Sequence, residues 1–335
     1  MGGLAARIER IWYAGTAVPV WLSALVPVYK ALRALHQAPY RLGWRKPARL
    51  PVPVIVVGNL TAGGSGKTPL VIALVDALRT RGFRPGVVSR GYGGTQRDPL
   101  LLDDMPEPAR VGDEPCLIRR RTGAAVAVGR DRAHAATLLL GRGVDVVIAD
   151  DGLQNPRLAR DIEICVIDGQ RRFGNGRLLP AGPLREPVAR LADVAFRLCN
   201  GGVAQPGETA MRLVGEMAVA VAGGSGTRPL ESFAGQRVHA VAAIGNPERF
   251  FVSLRAHGID VVPHAFADHH AFLPSDLAFG DDLPVLMTEK DAIKCTRFAG
   301  ANAWCIPVRA ELADTFFDAV AGRLRSTSCA PIEIP

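Results

Sequence analysis

The chain has 335 residues, of which 48% are hydrophobic and 21% charged. This globular composition excludes a disordered or fibrous protein and leaves room for two domains of roughly 150 residues. The 40 Lys and Arg residues outnumber the 32 Asp and Glu residues, which suits an anionic partner such as nucleic acid, a phospholipid surface or a phosphorylated substrate, or reflects a genome that favours arginine.

The N-terminus carries an uncharged apolar run over residues 11–29, with Arg7 and Arg10 before it and Lys30 and Arg33 after it. The run just reaches the length of a membrane-spanning helix. Two prolines inside it and basic residues on both flanks argue against a span. Apolar and basic residues alternate beyond it, as in interfacial helices. We therefore expect residues 1–45 to lie at a membrane surface, with a span or a buried soluble helix as alternatives.

The six cysteines form no CxxC pair and have no metal-ligand spacing. This argues against a disulfide framework and fits a reducing compartment.

From residue 46 onward, short β-branched apolar runs alternate with amphipathic helical stretches. This alternation predicts a doubly wound α/β domain with a mostly parallel sheet over residues 46–200. Its strands are predicted at 54–57, 87–89, 124–128, 144–149, 162–167 and 194–198, with helices that include 68–81 and 131–142.

Residues 201–236 are rich in Gly, Ala and Pro, which indicates a hinge or linker. A possible strand pair lies within it, at 211–214 and 218–221. A smaller α/β domain is predicted over residues 237–335. Its strands are expected near 238–244, 259–262, 285–288 and 304–308, and its helices near 247–257 and 312–324.

A glycine-rich loop lies between the first predicted strand and the first predicted helix of the larger domain. Phosphates need converging backbone N–H groups, and glycine lets the chain curl closely around them at a helix N-terminus. This context predicts a nucleotide site, with Lys67 on the β- and γ-phosphates and Thr68 on Mg²⁺. A glycine-rich turn without a ligand is the alternative. The predicted nucleotide-binding residues of the loop are Thr61, Ala62, Gly63, Gly64, Ser65, Gly66, Lys67 and Thr68.

The apolar strand at 144–149 ends in two carboxylates, Asp150 and Asp151. This is the form of a Walker B element, which places an Asp beside the loop Thr68 to organise Mg²⁺. Taken alone, the pair could equally belong to a turn or a helix cap. Two adjacent histidines, His269 and His270, do not indicate a metal site, because neighbouring residues rarely bind one ion and no third ligand is near in sequence.

Seven segments together resemble the tetraacyldisaccharide 4′-kinase family and occur in the family's order. They are GNLTAGGSGKTP (58–69), SRGYGG (89–94), GDEP (112–115), DDGLQ (150–154), LPAGPLREP (179–187), FADHHAF (266–272) and TEKDAIK (288–294). Thr61 stands where the general phosphate-loop pattern has glycine, and this family tolerates it.

The resemblance implies an enzyme with two α/β domains that hold ATP and substrate between them. Such an enzyme transfers the γ-phosphate of ATP, with Mg²⁺, to the 4′-hydroxyl of an acylated disaccharide 1-phosphate. It implies a place on the cytoplasmic face of the bacterial inner membrane, peripheral or monotopic, with the membrane surface as a partner and no nucleic acid. The sequence does not indicate protein partners.

By matching motifs, the resemblance also implies roles for individual residues. Asp113 matches the general base and His269 its assistant, which takes or shares the proton, while Asp268 is expected to orient the imidazole ring. His270 matches no fixed residue and stays unassigned. The remaining matches are Asp150 and Asp151 as Mg²⁺-organising acids, Gln154 as their partner at the nucleotide, and Glu114, Arg185 and Glu186 lining the phosphate site.

Two other classes of protein share some of these features. A nucleotide-driven switch or metallochaperone uses a similar Gly-Gly loop, but it often has a signature lysine early in the loop, where this chain has Thr61 and Ala62. A basic membrane-binding protein with a purely structural loop would leave Asp113, Asp150 and Asp151 without a role.

Overall fold

The computed structural model describes residues 4–222 and 226–328. Within these ranges the chain forms a mixed α/β fold with one nine-stranded and one six-stranded sheet. The helices are α1 Leu4–Tyr13, α2 Val20–Arg41, α3 Lys67–Thr80, α4 Pro108–Val111, α5 Asp113–Thr122, α6 Arg132–Leu140, α7 Pro247–Ala256, α8 Glu289–Cys295 and α9 Asp314–Ser328. The strands are β1 Val54–Gly58, β2 Pro85–Ser89, β3 Leu100–Leu101, β4 Val126–Val128, β5 Val146–Asp150, β6 Ile162–Asp168, β7 Phe196–Asn200, β8 Thr209–Val214, β9 Met217–Ala220, β10 Thr227–Pro229, β11 Arg237–Ala242, β12 Asp260–Ala265, β13 Val285–Thr288, β14 Ala303–Ile306 and β15 Arg309–Glu311.

The large sheet has the strand order β15-β8-β7-β6-β1-β5-β2-β4-β3. Its strands from β8 to β4 run parallel, and the edge strands β15 and β3 are antiparallel to their neighbours. This confirms the predicted mixed α/β fold with a mostly parallel sheet. Because the carboxyl ends of parallel strands share one edge, the loops after β1, β5 and β7 lie along the same edge of the sheet, with those after β1 and β5 adjacent.

Strand β1 is buried along its whole length. Ile55 and Val57 pack into a core with α3 and α5, whereas Val54 and Val56 face a second core with α6. Successive side chains of a strand point to opposite faces, and helices cover both faces of this sheet. The continuous β-branched run therefore makes a central strand, which brings the glycine-rich loop to the middle of the sheet edge.

The small sheet has the order β10-β9-β14-β13-β11-β12, in which β14, β13, β11 and β12 are parallel. It has separate hydrophobic cores, one with α7 and one with α8. Helix α8 also packs against α5 of the large-sheet unit, so the two units meet at these helices.

The predicted pairing of strands at 211–214 and 218–221 is wrong. Strand β8 pairs with β7 and β15 in the large sheet, and β9 pairs with β10 and β14 in the small one. Each strand buries its apolar residues in a different core, Met211 in that of α3 and Ala218 in that of α7. The chain thus passes from one sheet to the other between β8 and β9, inside the segment predicted as a linker.

The C-terminal elements return to the large sheet, although the sequence places them in the smaller unit. Strand β15 pairs with β8. Phe316 and Val320 of α9 are buried in the core that contains α3, because these apolar residues lie on one face of the helix and cover the edge of the sheet. The exact limits of the two domains stay a prediction.

The apolar N-terminal run is divided between α1 and α2, with residues 14–19 outside any helix. Among the described helices, none combines the length and the apolar character needed to cross a bilayer. Helix α2 instead exposes large apolar side chains at a spacing of three and four residues, which places them on one face. They are Trp21, Leu25, Val28, Leu32 and Leu35.

Candidate active site

The glycine-rich loop joins the buried end of β1 to the first turn of α3, as the sequence predicts. Gly63 and Gly66 have φ angles of 103° and 91°, a left-handed backbone that glycine adopts without strain. Asn59 donates a hydrogen bond to the carbonyl of Gly63 at 3.2 Å, and Asn200, at the end of β7, donates to the carbonyl of Ser65 at 2.8 Å. Two buried asparagines thus hold the curled backbone in place.

The first half of the loop rests on the 179–187 segment. Thr61 forms a β-bridge with Leu184, and the N–H of Ala62 donates to the carbonyl of Pro183 at 2.8 Å. The next residue after Leu184, Arg185, donates its backbone N–H to the carbonyl of Leu60 at 2.6 Å. The 179–187 segment therefore sets the position of the glycine-rich loop.

Asp151 lies between two cations. Its carboxylate is 3.5 Å from Lys67 Nζ and accepts two hydrogen bonds from Arg185, at 3.0 and 3.1 Å. Burial raises the pKa of Asp151, but the charges of Lys67 and Arg185 outweigh burial and hold that pKa well below its ordinary value. Asp151 is therefore a carboxylate at neutral pH, and we call Lys67, Asp151 and Arg185 the phosphate-loop network.

Asp150 has a different environment, although it is the adjacent residue. It is 1% exposed, and neither carboxylate oxygen has a hydrogen-bond partner among the described residues. Burial first, and then the charges of Glu114 and Asp151, raise the pKa of Asp150 to about 7. An unpartnered buried carboxylate is costly unless a cation is near. Oxygen ligands of this kind suit Mg²⁺, so Asp150 fits a metal-binding role better than Asp151 does.

Thr68, the other predicted Mg²⁺ ligand, is half-buried in the first turn of α3. Within the described ranges, no three His, Cys, Asp or Glu side chains group closely enough to hold a metal ion by themselves. Mg²⁺ commonly keeps several waters and uses one or two protein ligands plus substrate phosphates. Asp150 and Thr68 are compatible with that kind of site.

Gln154 and Glu186 connect the glycine-rich loop to the N-terminal helix. The amide of Gln154 donates to the carbonyl of Asn59 at 3.0 Å and to Glu186 at 3.2 Å. Glu186 is 2% exposed and accepts a 2.6 Å hydrogen bond from Arg33 of α2. In the same region, the hydroxyl of Tyr29 donates to the carbonyl of Arg185 at 2.9 Å. Two of the three residues predicted at the phosphate site, Arg185 and Glu186, therefore contact α2.

Asp113 and His269, which the sequence places in different domains, meet at the junction of the two units. Nδ1 of His269 is 3.3 Å from the Asp113 carboxylate, and Lys294 Nζ is 3.6 Å from the same oxygen. Burial raises the pKa of Asp113, but the hydrogen bond from His269 and the charges of Lys294 and Lys290 more than offset it, so the pKa is lowered. The carboxylate is ionised at neutral pH and able to accept a proton.

A family model described as tetraacyldisaccharide-1-P 4′-kinase matches residues 18–325. The chain belongs to this family. A tetraacyldisaccharide 4′-kinase of Stenotrophomonas maltophilia is 53% identical, over 97% of this chain and 98% of the relative, and one of Xanthomonas euvesicatoria is 52% identical over 97% of each. A crystal structure described as the "apo" form LpxK from Aquifex aeolicus in complex with ATP has a TM-score of 0.73 and 27% identity, and covers 90% of this chain and 99% of that one.

Membership of the tetraacyldisaccharide-1-P 4′-kinase family confirms the predicted family and the predicted ATP-dependent kinase class. The structural similarity confirms the α/β fold with parallel sheets. The roles of the individual site residues stay a prediction.

Two lysines of α8 are site residues that the sequence reasoning missed. Lys290 Nζ lies 3.3 Å from each of three groups, which are the carboxylates of Glu114 and Asp268 and Nε2 of His269. Lys294 contacts Asp113, as described above. The two lysines are four residues apart and therefore lie on one face of the helix. The segment TEKDAIK contained this signal, but their partners depend on how α8 packs against α5.

In the structure, Asp268 does not orient the His269 ring as expected. Asp268 Oδ1 is 3.7 Å from Nε2 of His269, beyond hydrogen-bond distance, and Lys290 lies against that nitrogen instead. His270 points elsewhere, since its Nε2 pairs with Asp276 at 2.9 Å and its ring stacks on Phe266. His270 therefore has a structural role.

Proposed function

We propose that this chain transfers the γ-phosphate of ATP to the 4′-hydroxyl of tetraacyldisaccharide 1-phosphate, which gives lipid IVA for lipid A synthesis. The observation that carries this proposal is the meeting of Asp113 with His269 beside the strand ends that hold the phosphate-loop network. Asp113 is adjacent to Glu114, whose charge acts on Asp150. A base and a phosphate site therefore face the same region.

The phosphate-loop network supplies the electrostatic part of the reaction. Lys67 and Arg185 place two positive charges beside the glycine-rich loop, where they neutralise the triphosphate during transfer. Asp150 and Thr68 would hold Mg²⁺, which would supply further positive charge against the phosphates. The contact between Glu186 and Gln154 keeps the 179–187 segment against the loop, so that the charge of Arg185 stays in place.

Asp113 is the proposed general base. As the sugar 4′-oxygen bonds to the γ-phosphorus, the bond from that phosphorus to the oxygen of the departing ADP breaks, and the hydroxyl proton moves to the Asp113 carboxylate. Because His269 belongs to the small-sheet unit and Asp113 to the large-sheet unit, the pair exists only where the two units meet. Such assembly limits phosphate transfer to water.

Helix α2 is proposed to bind the membrane surface at the cytoplasmic face of the inner membrane, in a peripheral or monotopic manner. Its exposed apolar face, Trp21 to Leu35, would lie among the acyl chains. The acyl chains of the substrate stay in the same bilayer, and Tyr29 and Arg33, on the side of α2 next to this face, would keep the phosphate site close to the lipid.

The test is incubation of the purified chain with ATP, Mg²⁺ and tetraacyldisaccharide 1-phosphate in mixed micelles, followed by mass spectrometry. One added phosphate on the lipid, with stoichiometric ADP, is expected. ATP turnover that needs a protein partner rather than the lipid would favour a nucleotide-driven switch. Nucleotide-independent lipid binding without product would favour a membrane-binding protein.

The proposed membrane contact has a separate test. Deletion of residues 1–40 should shift the protein from the membrane to the soluble fraction. An unchanged membrane fraction would place the lipid contact elsewhere.

A further inference from the structure

Lys290 occupies a position that constrains where the proton of His269 sits. Its side chain is 15% exposed and its ammonium group has three neighbours at 3.3 Å, the Glu114 and Asp268 carboxylates and Nε2 of His269. An ammonium group has three N–H donors and no acceptor. The three donors and the three neighbours match one to one, and Nε2 must then offer its lone pair.

The ammonium form of Lys290 is itself secured by its surroundings. Burial lowers the pKa of Lys290, but the carboxylates of Glu114, Asp268 and Asp113 more than offset burial, and the pKa is raised above its ordinary value. Lys290 therefore remains a donor throughout the neutral pH range. A proton on Nε2 of His269 would point a second N–H at this ammonium group, which is unfavourable.

The opposite ring nitrogen faces an acceptor. Nδ1 of His269 is 3.3 Å from the ionised Asp113 carboxylate. The imidazole ring is also packed against the Tyr92 ring, in an edge-on arrangement with the ring centroids 4.8 Å apart. The hydrogen bond made by one imidazole nitrogen sets which nitrogen carries the proton. Lys290 at Nε2 and Asp113 at Nδ1 favour the same tautomer.

We propose that Lys290 is a positioning residue that holds His269 as the neutral Nδ1–H tautomer, so that His269 donates to Asp113 and leaves Asp113 as the proton acceptor. This inference rests on the proposed function and gives His269 and Lys290 separate roles within it. His269 then has no free lone pair toward Asp113, and it orients the base rather than relaying the proton onward. The charged groups facing the pair are Glu114 from α5, Asp268 from its own loop, and Lys290 and Lys294 from α8.

The proton position is tested on the full-length protein labelled with ¹⁵N-histidine, with the His269 resonances assigned by comparison with His269→Gln. Between about pH 7 and 8, we expect a protonated Nδ1 and an unprotonated Nε2 for His269. A protonated Nε2 in the wild-type spectrum would overturn the proposal without any Lys290 variant. The spectrum needs no substrate, so its result is independent of whether the lipid acceptor is the right one.

The Lys290→Met variant keeps much of the side-chain volume and removes the donor. We expect kcat to fall about tenfold or more, KM for ATP to stay within about twofold, and Nε2 of His269 to gain a proton. Lys290→Arg, which retains charge and donors, should recover part of kcat.

Arg121→Met is the matched control, because the 2.7 Å ion pair of Arg121 with Glu289 joins the same two helices without touching His269. If Arg121→Met and Lys290→Met lose kcat equally and the histidine spectrum is unchanged in both, Lys290 only joins the two helices and does not set the tautomer of His269.

Discussion

The phosphate-loop network and the Asp113–His269 pair are built in different ways. Lys67, Asp151 and Arg185 all belong to the large-sheet unit. Lys67 and Asp151 meet because they follow the adjacent parallel strands β1 and β5, and Arg185 reaches Asp151 from the 179–187 segment. Asp113 and His269 are 156 residues apart and meet across two sheets. We therefore expect variants of the phosphate-loop network to act on the nucleotide and its phosphates, and variants of the Asp113–His269 pair to act on proton removal from the acceptor. Variants in the two regions should therefore differ in which step they remove.

The largest effect is expected from Lys67→Ala in the phosphate-loop network. The Lys67 side chain is 10% exposed and faces Asp151 and Asn59 rather than an apolar core. Phosphoryl transfer should fall about 10³-fold or more, because a positioned charge at the phosphates is lost, while circular dichroism stays native. Lys46→Ala, at an exposed position, is the control. Most of the wild-type rate at saturating ATP would contradict the nucleotide-binding assignment.

Next in size is the loss of the base in the region between the two units. Asp113→Ala should lower kcat by at least about 10²-fold and leave ATP binding, measured by calorimetry, near wild type. His269→Ala should cost less, because His269 only orients Asp113. The double variant should be little worse than Asp113→Ala, since residues that act as one unit are not additive. Fully multiplicative losses in this cycle would show that the two side chains act independently.

The same comparison explains what the sequence could predict. The strands β1, β2, β5 and β6 are apolar on both faces, so their composition alone indicates a buried parallel sheet. The proximity of Lys67 and Asp151 follows from them, because the ends of adjacent strands come together in any sheet of this kind, whereas Arg185 is placed by the 179–187 segment. The residues of each strand were sufficient to predict that Lys67 and Asp151 lie at one edge of the sheet.

Strand pairings and side-chain contacts between distant segments could not be predicted from the local sequence. Strands β8 and β9 are short and close in sequence, and nothing in their residues states that each belongs to a different sheet. Lys290 and Lys294 likewise acquire their partners only when α8 packs against α5. The family resemblance brought Asp113 and His269 together, but it did not supply the lysine that faces the other side of the imidazole ring.

Within the phosphate-loop region, the two adjacent carboxylates offer a finer comparison. Asp150→Asn should raise the Mg²⁺ concentration for half-maximal activity at least about tenfold, since a neutral amide is a poor ligand for this ion. Asp151→Asn should instead weaken folding, because it leaves Lys67 and Arg185 without their partner. Thermal melting with and without Mg²⁺ separates the two. If Asp150→Asn leaves the Mg²⁺ dependence unchanged, the ion is held elsewhere.

The pH dependence of stability provides an independent check on Asp150. Its pKa rises from 3.8 to about 7 on folding, so the native state binds this proton more tightly than the unfolded chain does. The stabilisation is complete below the unfolded pKa and is lost as pH rises through about 7. In a chelator, the Asp150 contribution should therefore make the melting temperature of the wild type fall between about pH 4 and 7, and Asp150→Asn should flatten this slope. An identical slope in both proteins would show that Asp150 does not titrate in this range.

The smallest effect is expected where α2 contacts the proposed phosphate site. Arg33 of α2 donates to the buried Glu186, which also binds Gln154, and these contacts make a continuous path from α2 to the glycine-rich loop. Arg33→Met should lower kcat/KM about tenfold, or about 1.4 kcal/mol, at the low end for a hydrogen bond between charged groups.

The control variant is Lys30→Met, which removes the same charge from an exposed position of the same helix. Both variants keep the exposed apolar face of α2, so their vesicle binding in a sedimentation assay should be comparable, whereas only Arg33→Met should stay slow when the vesicle concentration is saturating. If saturating vesicles restore Arg33→Met to the wild-type rate, α2 serves only to bind the membrane and has no part in positioning Arg185 and Glu186.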